Sequence, residues 1–407
     1  MTTVEACPVL SAAEAVSVAK TLAVDFAAGA AERDRNRELP FREVDRLAGS
    51  GLLAITVPAT YGGAELPPSV VAEVVRILAT ADPNIAQIPH SHFVYVNLLR
   101  LAGSVEQLRH YGGQVLRGAH VANAQSERGG KTVADVATTL RPADGRFRIN
   151  GAKYYCTGSV FADLLAVLTR LVDPDRVSGL PEGEYIAYLA ADTPGVHISD
   201  DWDALGQRTT GSGTIAFDGV VVERDQLVAR AAAVNAPTGY GAFAQLLHAA
   251  IDTGIARGAL EAAAAFVRTR SRPWFEANVD RAIDDPLLVQ RFGELAVSVV
   301  AAETMLAAAG AAVDAMLTGS TSGPVNTPAD ASLAVATAKV LSDRAANEVS
   351  SALFEVGGTR SVAAELNLDH FWRNARTHTL HDPVRWKYQH IGRALLHDTP
   401  PPLHGVI

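Results

Sequence analysis

The sequence predicts an α+β protein, mainly α, with an N-terminal helical domain, a middle antiparallel β-domain and a C-terminal four-helix bundle. Two observations predict this order. Apolar residues recur at three- and four-residue spacing in both ends of the chain, whereas the middle contains short β-branched and aromatic runs. Because helices and strands are segregated along the chain, separate α and β layers are favoured over alternating βαβ units.

The N-terminal domain, residues 1–118, has the pattern of an all-α region in which proline and glycine separate the helical segments. The predicted helices are Ala13–Ala31, Phe41–Ser50, Val70–Ala79 and Ile85–Leu101.

The middle domain, residues 119–230, is predicted to be a barrel-like arrangement of strands bounded by Gly, Asp and Pro. The predicted strands include Phe147–Ile149, Lys153–Cys156, Leu164–Leu171, Tyr185–Ala190 and Thr214–Val222.

The C-terminal domain, residues 231–407, contains long amphipathic blocks that are expected to pack as a four-helix bundle. The predicted helices are Phe243–Thr269, Pro286–Leu317, Pro328–Glu355 and His381–Leu396. The apolar stretch Glu294–Leu317 is interrupted by acidic residues, which favours a buried bundle helix over a membrane span. Alanine-rich faces on these helices predict a homotetramer, or at least a dimer.

Composition narrows the range of partners. The 407 residues are 48% hydrophobic and carry a net charge of −9, with scattered basic residues, so nucleic acid and membrane surfaces are not expected as partners. Cys7 and Cys156 have no CxxC spacing, so no metal site is expected and a reducing cytoplasm fits. Glu5 and Glu14 are atypical of a secretory signal. The chain also lacks GxGxxG, GxxxxGK[ST], HExxH and GxSxG motifs, so it is not expected to bind a reductant on its own Rossmann module.

Five segments resemble motifs of the acyl-CoA dehydrogenase family, in the family's order and over nearly the whole chain. They are Leu52–Gly62, Asn123–Gly130 (NAQSERGG), Asn150–Thr157 (NGAKYYCT), Leu205–Val222, and Gly357-Gly358 followed by Trp372–Asp382 (WRNARTHTLHD). This resemblance implies the acyl-CoA dehydrogenase fold and a bound flavin.

The resemblance also implies flavin contacts. Asn123, Ser126 and Thr157 offer amide and hydroxyl groups beside a planar ring, and Thr157 is the strongest candidate. Ser212 falls on a position that resembles a contact to the phosphate side of the flavin in this family. The alternative is that these are ordinary polar residues of β-turns.

Further cofactor contacts are expected late in the chain. The glycines Gly357 and Gly358 fall on the family's late loop, Arg360 follows them, and Arg272 is a candidate to neutralise the phosphate or a surface residue at a helix end. Dehydrogenases usually have glutamine for FAD three residues before the glycine pair. Phe354 stands there instead, which favours FMN over FAD.

The last motif departs from the dehydrogenases. Their catalytic glutamate aligns with Asp382, a shorter carboxylate followed by Pro383, so abstraction of an α-proton is disfavoured. His378 and His381 appear in the same segment. Together with Gly357–Arg360 (GGTR), this segment resembles the dibenzothiophene monooxygenase group and the SfnB-type sulfur-acquisition oxidoreductases.

That branch implies reduced FMN from a separate NAD(P)H-dependent flavin reductase, O2 addition at flavin C4a to give a hydroperoxide, and oxygen transfer to an organosulfur substrate. His381 is the first candidate for the hydrogen-bond donor and His378 for its support. Alternatively, both histidines begin a helix and are capped by Asp382.

Two further segments carry candidates for the substrate side. His92 and Tyr95 lie three apart on a predicted helix, where His92 is expected to act in catalysis and Tyr95 to contact substrate; His90 is the less favoured histidine. Trp202 is a candidate to stack on flavin or substrate, or a core residue.

The leading hypothesis is therefore a two-component, FMN-dependent monooxygenase acting on an organosulfur or related small hydrophobic compound. The competing hypotheses are an FAD-dependent acyl-CoA dehydrogenase with Asp382 as base, and a scaffold without flavin. Oxidation of sulfur and of nitrogen both stay open.

Overall fold

A computed structural model describes residues 6–318, 327–405 and 407. Its N-terminal helices are α1 (Ala12–Asn36), α2 (Phe41–Gly49), α3 (Pro68–Ala81), α4 (Pro83–Ala102) and α5 (Val105–Val115). Helix α4 begins sharply because the Asp82 carboxylate accepts the backbone N–H groups of Asn84 and Ile85, with Pro83 in the first turn. The short helix α5 was not predicted, and its sequence includes the helix-weakening pair Gly112-Gly113.

The middle of the chain forms an eight-stranded sheet within the described residues. Its strands are β1 (Val121–Ala124), β2 (Thr139–Ala143), β3 (Arg146–Lys153), β4 (Leu164–Leu171), β5 (Glu184–Ala190), β6 (Val196–Ser199), β7 (Thr214–Val222) and β8 (Leu227–Ala229). The strand order is β6-β7-β3-β2-β4-β5-β8, with β1 beside β4. Pairing is antiparallel except that β1 and β2 run parallel to β4. The predicted strand Phe147–Ile149 lies within β3, whereas of the predicted strand Lys153–Cys156 only Lys153 belongs to β3, which ends there.

The C-terminal helices of the described chain are α6 (Arg230–Val234), α7 (Tyr240–Arg270), α8 (Pro286–Thr318), α9 (Pro328–Gly357), α10 (Asp369–His378) and α11 (Arg385–His397). The long helices α7, α8 and α9 pack on one another, and the short pair α10 and α11 occupies the place of the fourth bundle helix. The predicted helix from His381 begins only at Arg385. Pro383 disfavours a helical conformation in the residue before it, so His381 lies in the connection between α10 and α11.

Helix α8 is half packed within the single chain. By length and composition Pro286–Leu317 is the one described helix that passes as a membrane span, yet only 39% of its most apolar window is buried. Two of its acidic residues contact other helices, Glu303 with Arg257 and Asp314 with Ser69, whereas Glu294 pairs with Arg291 of the same helix. The expectation of a buried helix therefore holds for one face, whereas the other face exposes apolar side chains.

Candidate active site

Four histidines from three parts of the chain meet in one group, called here the histidine cluster. His90 lies on α4, His248 on α7, His378 at the end of α10, and His381 in the connection that follows. The His248 ring lies between two others, with its centroid 3.8 Å from that of His90 and 3.9 Å from that of His381. No group of three or more His, Cys, Asp or Glu residues in the described part of the chain could hold a metal ion.

A buried ion pair lies behind the histidine cluster. Asp252 is four residues after His248 on α7, so the two side chains share one helix face. One oxygen of Asp252 is 2.5 Å from Nδ1 of His378, and the other accepts from Nζ of Lys339 at 2.5 Å. Nε2 of His378 lies 3.2 Å from Nδ1 of His248 and 3.0 Å from Oε1 of Gln87. A hydrogen-bonded chain thus runs from a buried carboxylate to the stacked rings.

Burial keeps three of the four histidines neutral. It lowers the pKa of His90 to about 3 and that of His248 well below its ordinary value, with the neighbouring histidines adding to the effect. Burial also lowers the pKa of His378, although the Asp252 carboxylate acts in the opposite direction. The side chain of His381 is 43% exposed, so His381 is the member of the cluster that reaches solvent.

Asp382, the position of the dehydrogenase base, is buried in ionic contacts. Its carboxylate lies 3.4 Å from Nδ1 of His381 and 2.8 Å from Nζ of Lys387. Burial alone would raise the pKa of Asp382, but the hydrogen bond from His381 and the charges of Lys339 and Lys387 outweigh it and hold that pKa below its usual range. A carboxylate stabilised in this way is a weak base, which disfavours abstraction of a carbon-bound proton.

A second group of polar side chains lies where the chain leaves β3 and in the connection before β7. The hydroxyl of Thr157 is 2.8 Å from that of Ser212, which is 2.7 Å from that of Thr210. The side-chain oxygen of Asn123 is buried and has no hydrogen-bond partner among the described residues. Ser126 is exposed, and its backbone bridges to Tyr154. The structure thus brings Thr157 and Ser212 together and leaves an unpaired acceptor on β1.

Helices α4 and α10 connect the two groups. The loop before Ser212 docks on them, because Asn84 of α4 accepts from the backbone N–H of Thr209 at 3.2 Å and Asn374 of α10 accepts from that of Gln207 at 2.6 Å. Three- and four-residue steps along these helices lead to Gln87 and His90 on α4 and to His378 on α10. The hydroxyl-bearing side chains of Thr157, Thr210 and Ser212 and the histidine cluster therefore lie along one boundary between the β-domain and the helices, called here the seam.

Trp202 lies at the edge of this seam rather than in a core. Its indole N–H donates to the backbone carbonyl of Gln207 at 2.7 Å. Its ring is nearly perpendicular to that of Tyr155, with centroids 6.0 Å apart. Tyr155 is 48% exposed and adopts a left-handed conformation, with φ of 59°, and the Arg128 guanidinium lies 5.2 Å from its ring centre. This arrangement provides an aromatic surface open to solvent.

His92 and Tyr95 lie on a different side of α4 from the histidine cluster. His92 is fully buried; Nε2 is 2.7 Å from the carbonyl of Leu53, and Nδ1 accepts from the backbone N–H of Val121 at 3.1 Å. Both ring nitrogens are therefore occupied by the backbone. His92 is the histidine that the sequence favoured for catalysis, whereas His90 is the one that lies near His381. Tyr95 is buried next to the sheet, and its hydroxyl has no partner among the described residues.

The candidate cofactor contacts from late in the chain form a separate group at the far ends of α7 and α9, whereas Ser212 lies with Thr157. Arg360 donates to the carbonyl of Arg270 at 2.9 Å, Arg272 is exposed, and Gly357 and Gly358 end α9. At about 1.5 Å per residue, α7 separates its end from His248 by roughly 33 Å, well beyond the length of one FMN. Within one chain this group and the histidine cluster do not meet.

His248, Asp252, Lys339 and Gln87 were not predicted from the sequence. Two signals for them were present. His248 and Asp252 have the four-residue spacing of one helix face, and Lys339 is a single charge inside an apolar helical run. Only the fold shows that these two helices face one another.

Comparison with known families identifies the chain. Three family models match: the N-terminal domain of acyl-CoA dehydrogenase over residues 14–119, its middle domain over 122–220 and its C-terminal domain over 246–386. The chain belongs to the acyl-CoA dehydrogenase family. This confirms the predicted fold class.

Relatives place the chain in a monooxygenase branch of that family. Dibenzothiophene monooxygenase of Rhodococcus qingshengii is 35% identical over 94% of this chain and 93% of its own length. The probable FMNH2-dependent monooxygenase SfnC of Pseudomonas putida is 31% identical over 95% and 96%. The crystal structure of TdsC from Paenibacillus sp. A11-2 with FMN and indole has a TM-score of 0.89 at 32% identity, covering 97% of this chain and 99% of TdsC. These relatives confirm the expected monooxygenase branch, and the names of SfnC and of the TdsC complex report FMN.

Proposed function

We propose that this protein is a two-component monooxygenase that uses reduced FMN and O2 to oxidise an organosulfur or related small hydrophobic compound. The observation that carries the proposal is the histidine cluster, in which one exposed imidazole, His381, is backed by neutral buried ones. The dehydrogenase alternative requires a free carboxylate base, whereas Asp382 is held as an anion by Lys387 and His381. The names of the relatives support FMN as the flavin and an organosulfur compound as the substrate.

The polar groups of the seam fit a flavin. Thr157 and Ser212 offer hydroxyls, and the buried unpaired oxygen of Asn123 fits a ligand N–H. Reduced FMN, when bound, supplies the two electrons with which O2 and a sulfide become a sulfoxide and water. The absence of a Rossmann motif supports delivery of that FMN by a separate NAD(P)H-dependent reductase.

In this proposal, His381 donates and returns the proton that the reduction of oxygen requires. Its ring is the member of the cluster that reaches solvent, from which the proton can be replaced. His378 supports the stack from behind. Tyr155 and Trp202 line the entrance, where a flat apolar substrate would contact them.

The candidate cofactor contacts at the far ends of α7 and α9 are proposed to bind the FMN phosphate of a neighbouring subunit. Arg272 and Arg360 lie too far from His248 to act on the same FMN within one chain. The exposed apolar face of α8, which includes Leu287 and Val297, provides a surface on which a second copy can pack. A homotetramer, or at least a dimer, would complete each site in this way.

The direct test supplies photoreduced FMN and isotopically labelled O2 with dibenzothiophene as the probe, and follows label incorporation by mass spectrometry. One labelled oxygen per sulfoxide is expected. His381→Ala should still bind FMN but form product about a hundredfold more slowly and release hydrogen peroxide instead. The exposed His397→Ala serves as the control.

The alternative function predicts a different result. A saturated acyl-CoA would bleach bound, oxidised FAD without oxygen, and Asp382→Asn would abolish the bleaching. Anaerobic bleaching of this kind, with no labelled oxygen in any product, would falsify the monooxygenase proposal.

A further inference from the structure

Three buried residues near His381 have no part in the function proposed so far. Asp252, Lys339 and His248 are fully buried, so they contact neither solvent nor an entering substrate. Burying a charged pair is costly unless its geometry and hydrogen bonds compensate for the loss of water. Here Asp252 of the pair contacts one ring nitrogen of His378, and the chain of contacts ends at His248, whose ring lies 3.9 Å from that of His381 between centroids.

The contacts determine where the protons lie. Because Lys339 binds one oxygen of the Asp252 carboxylate, the other oxygen is held toward His378. A carboxylate only accepts, so Nδ1 of His378 carries the hydrogen and, in the neutral ring, Nε2 is left with a lone pair. That lone pair can accept from Nδ1–H of His248, and also from Gln87 when the Gln87 amide is turned so that its NH2, rather than its oxygen, faces Nε2. The carboxylate thus determines the tautomers of both buried rings.

We propose that Asp252 and His248 are positioning residues for His381, a role that rests on the proposed function of His381 as proton donor. The chain keeps a neutral imidazole of fixed orientation against one face of His381. A protonated or rotated His248 would repel a positive charge on His381 or misplace its ring, since the centroids are only 3.9 Å apart. Proton transfer is thereby confined to the one exposed member of the cluster.

The central experiment is Asp252→Asn. Lys339 is expected to retain the amide oxygen, so the amide NH2 faces Nδ1 of His378 and displaces its hydrogen to Nε2. That nitrogen then opposes Nδ1–H of His248, and the tautomers of both rings must change. Nitrogen-15 NMR of the histidine rings reports this change directly, without flavin or substrate. Product formed per reduced FMN should fall about tenfold or more, while FMN affinity stays the same.

Two further variants separate positioning from folding. His248→Phe retains a ring in the stack but removes its nitrogens, so peroxide release should rise as in Asp252→Asn. The double variant Asp252→Asn with Lys339→Met avoids an unbalanced buried lysine if the single variant does not fold. His370→Phe is the matched control, because His370 is also buried on α10 but makes no contact with the cluster. This control should retain the wild-type product yield.

The outcomes are distinct from those of the proposed function. Unchanged histidine tautomers in Asp252→Asn, or wild-type product yield in both Asp252→Asn and His248→Phe, would overturn the positioning role. If the wild-type protein forms no labelled sulfoxide, the proposed function fails, and the positioning chain is then decided by the ring-nitrogen signals alone. A tautomer change together with a selective loss of product supports both.

Discussion

Lowering the pH is expected to destabilise the folded chain through His92. Burial, together with the nearby His120, lowers the pKa of His92 to about 3 in the folded protein, against an ordinary value of 6.5. Between these values the unfolded chain binds one more proton than the folded chain at this residue. Its contribution to stability is therefore complete above pH 6.5 and decreases as the pH falls. From pH 6.5 to 5 the loss amounts to about 2 kcal/mol, at roughly 1.4 kcal/mol per pH unit.

Proton uptake measures this effect without assuming two-state unfolding. The protein is unfolded in urea at pH 5 in weak buffer, and the protons taken up per chain are titrated. His92→Gln should lower the uptake by about one proton, because glutamine can replace both backbone hydrogen bonds but does not titrate. The exposed His197→Gln should leave it unchanged. Unchanged proton uptake in His92→Gln, combined with weaker binding of FMN, would refute the structural role and would assign His92 to the flavin site instead.

Three further predictions concern cofactor binding and assembly. Thr157→Val should weaken FMN binding about tenfold, measured by flavin fluorescence, because it removes a hydroxyl and nearly keeps the shape; Thr193→Val is the control, and equal affinities would exclude Thr157 from the site. Arg272→Ala should also weaken FMN binding but leave riboflavin binding unchanged, since riboflavin has no phosphate; an equal loss for both would argue against phosphate binding. Sedimentation at micromolar protein should give a tetramer or dimer, and a monomer would contradict the proposed role of α8.

The sequence by itself determined the fold class, the family and the branch of the family. Periodicity predicts helices and strands because side-chain direction repeats every 3.6 or two residues, so these patterns need no knowledge of tertiary contacts. Asp382, followed by Pro383, stands where the dehydrogenases have their catalytic glutamate, and His378 and His381 lie in the same segment. These differences indicated a change of reaction. The start of α11 was predicted four residues too early, at His381 instead of Arg385, although Pro383 restricts the residue before it.

Only the tertiary structure decided which polar residues act together. His90 and His92 have similar sequence surroundings, but one faces α7 and the other is bound by Leu53 and Val121, so their roles differ through packing alone. Asp252 and Lys339 are 87 residues apart and meet because α7 packs on α9. Hydrogen bonds of this kind depend on distances of about 3 Å between separate elements, and local sequence patterns specify the elements but not those distances.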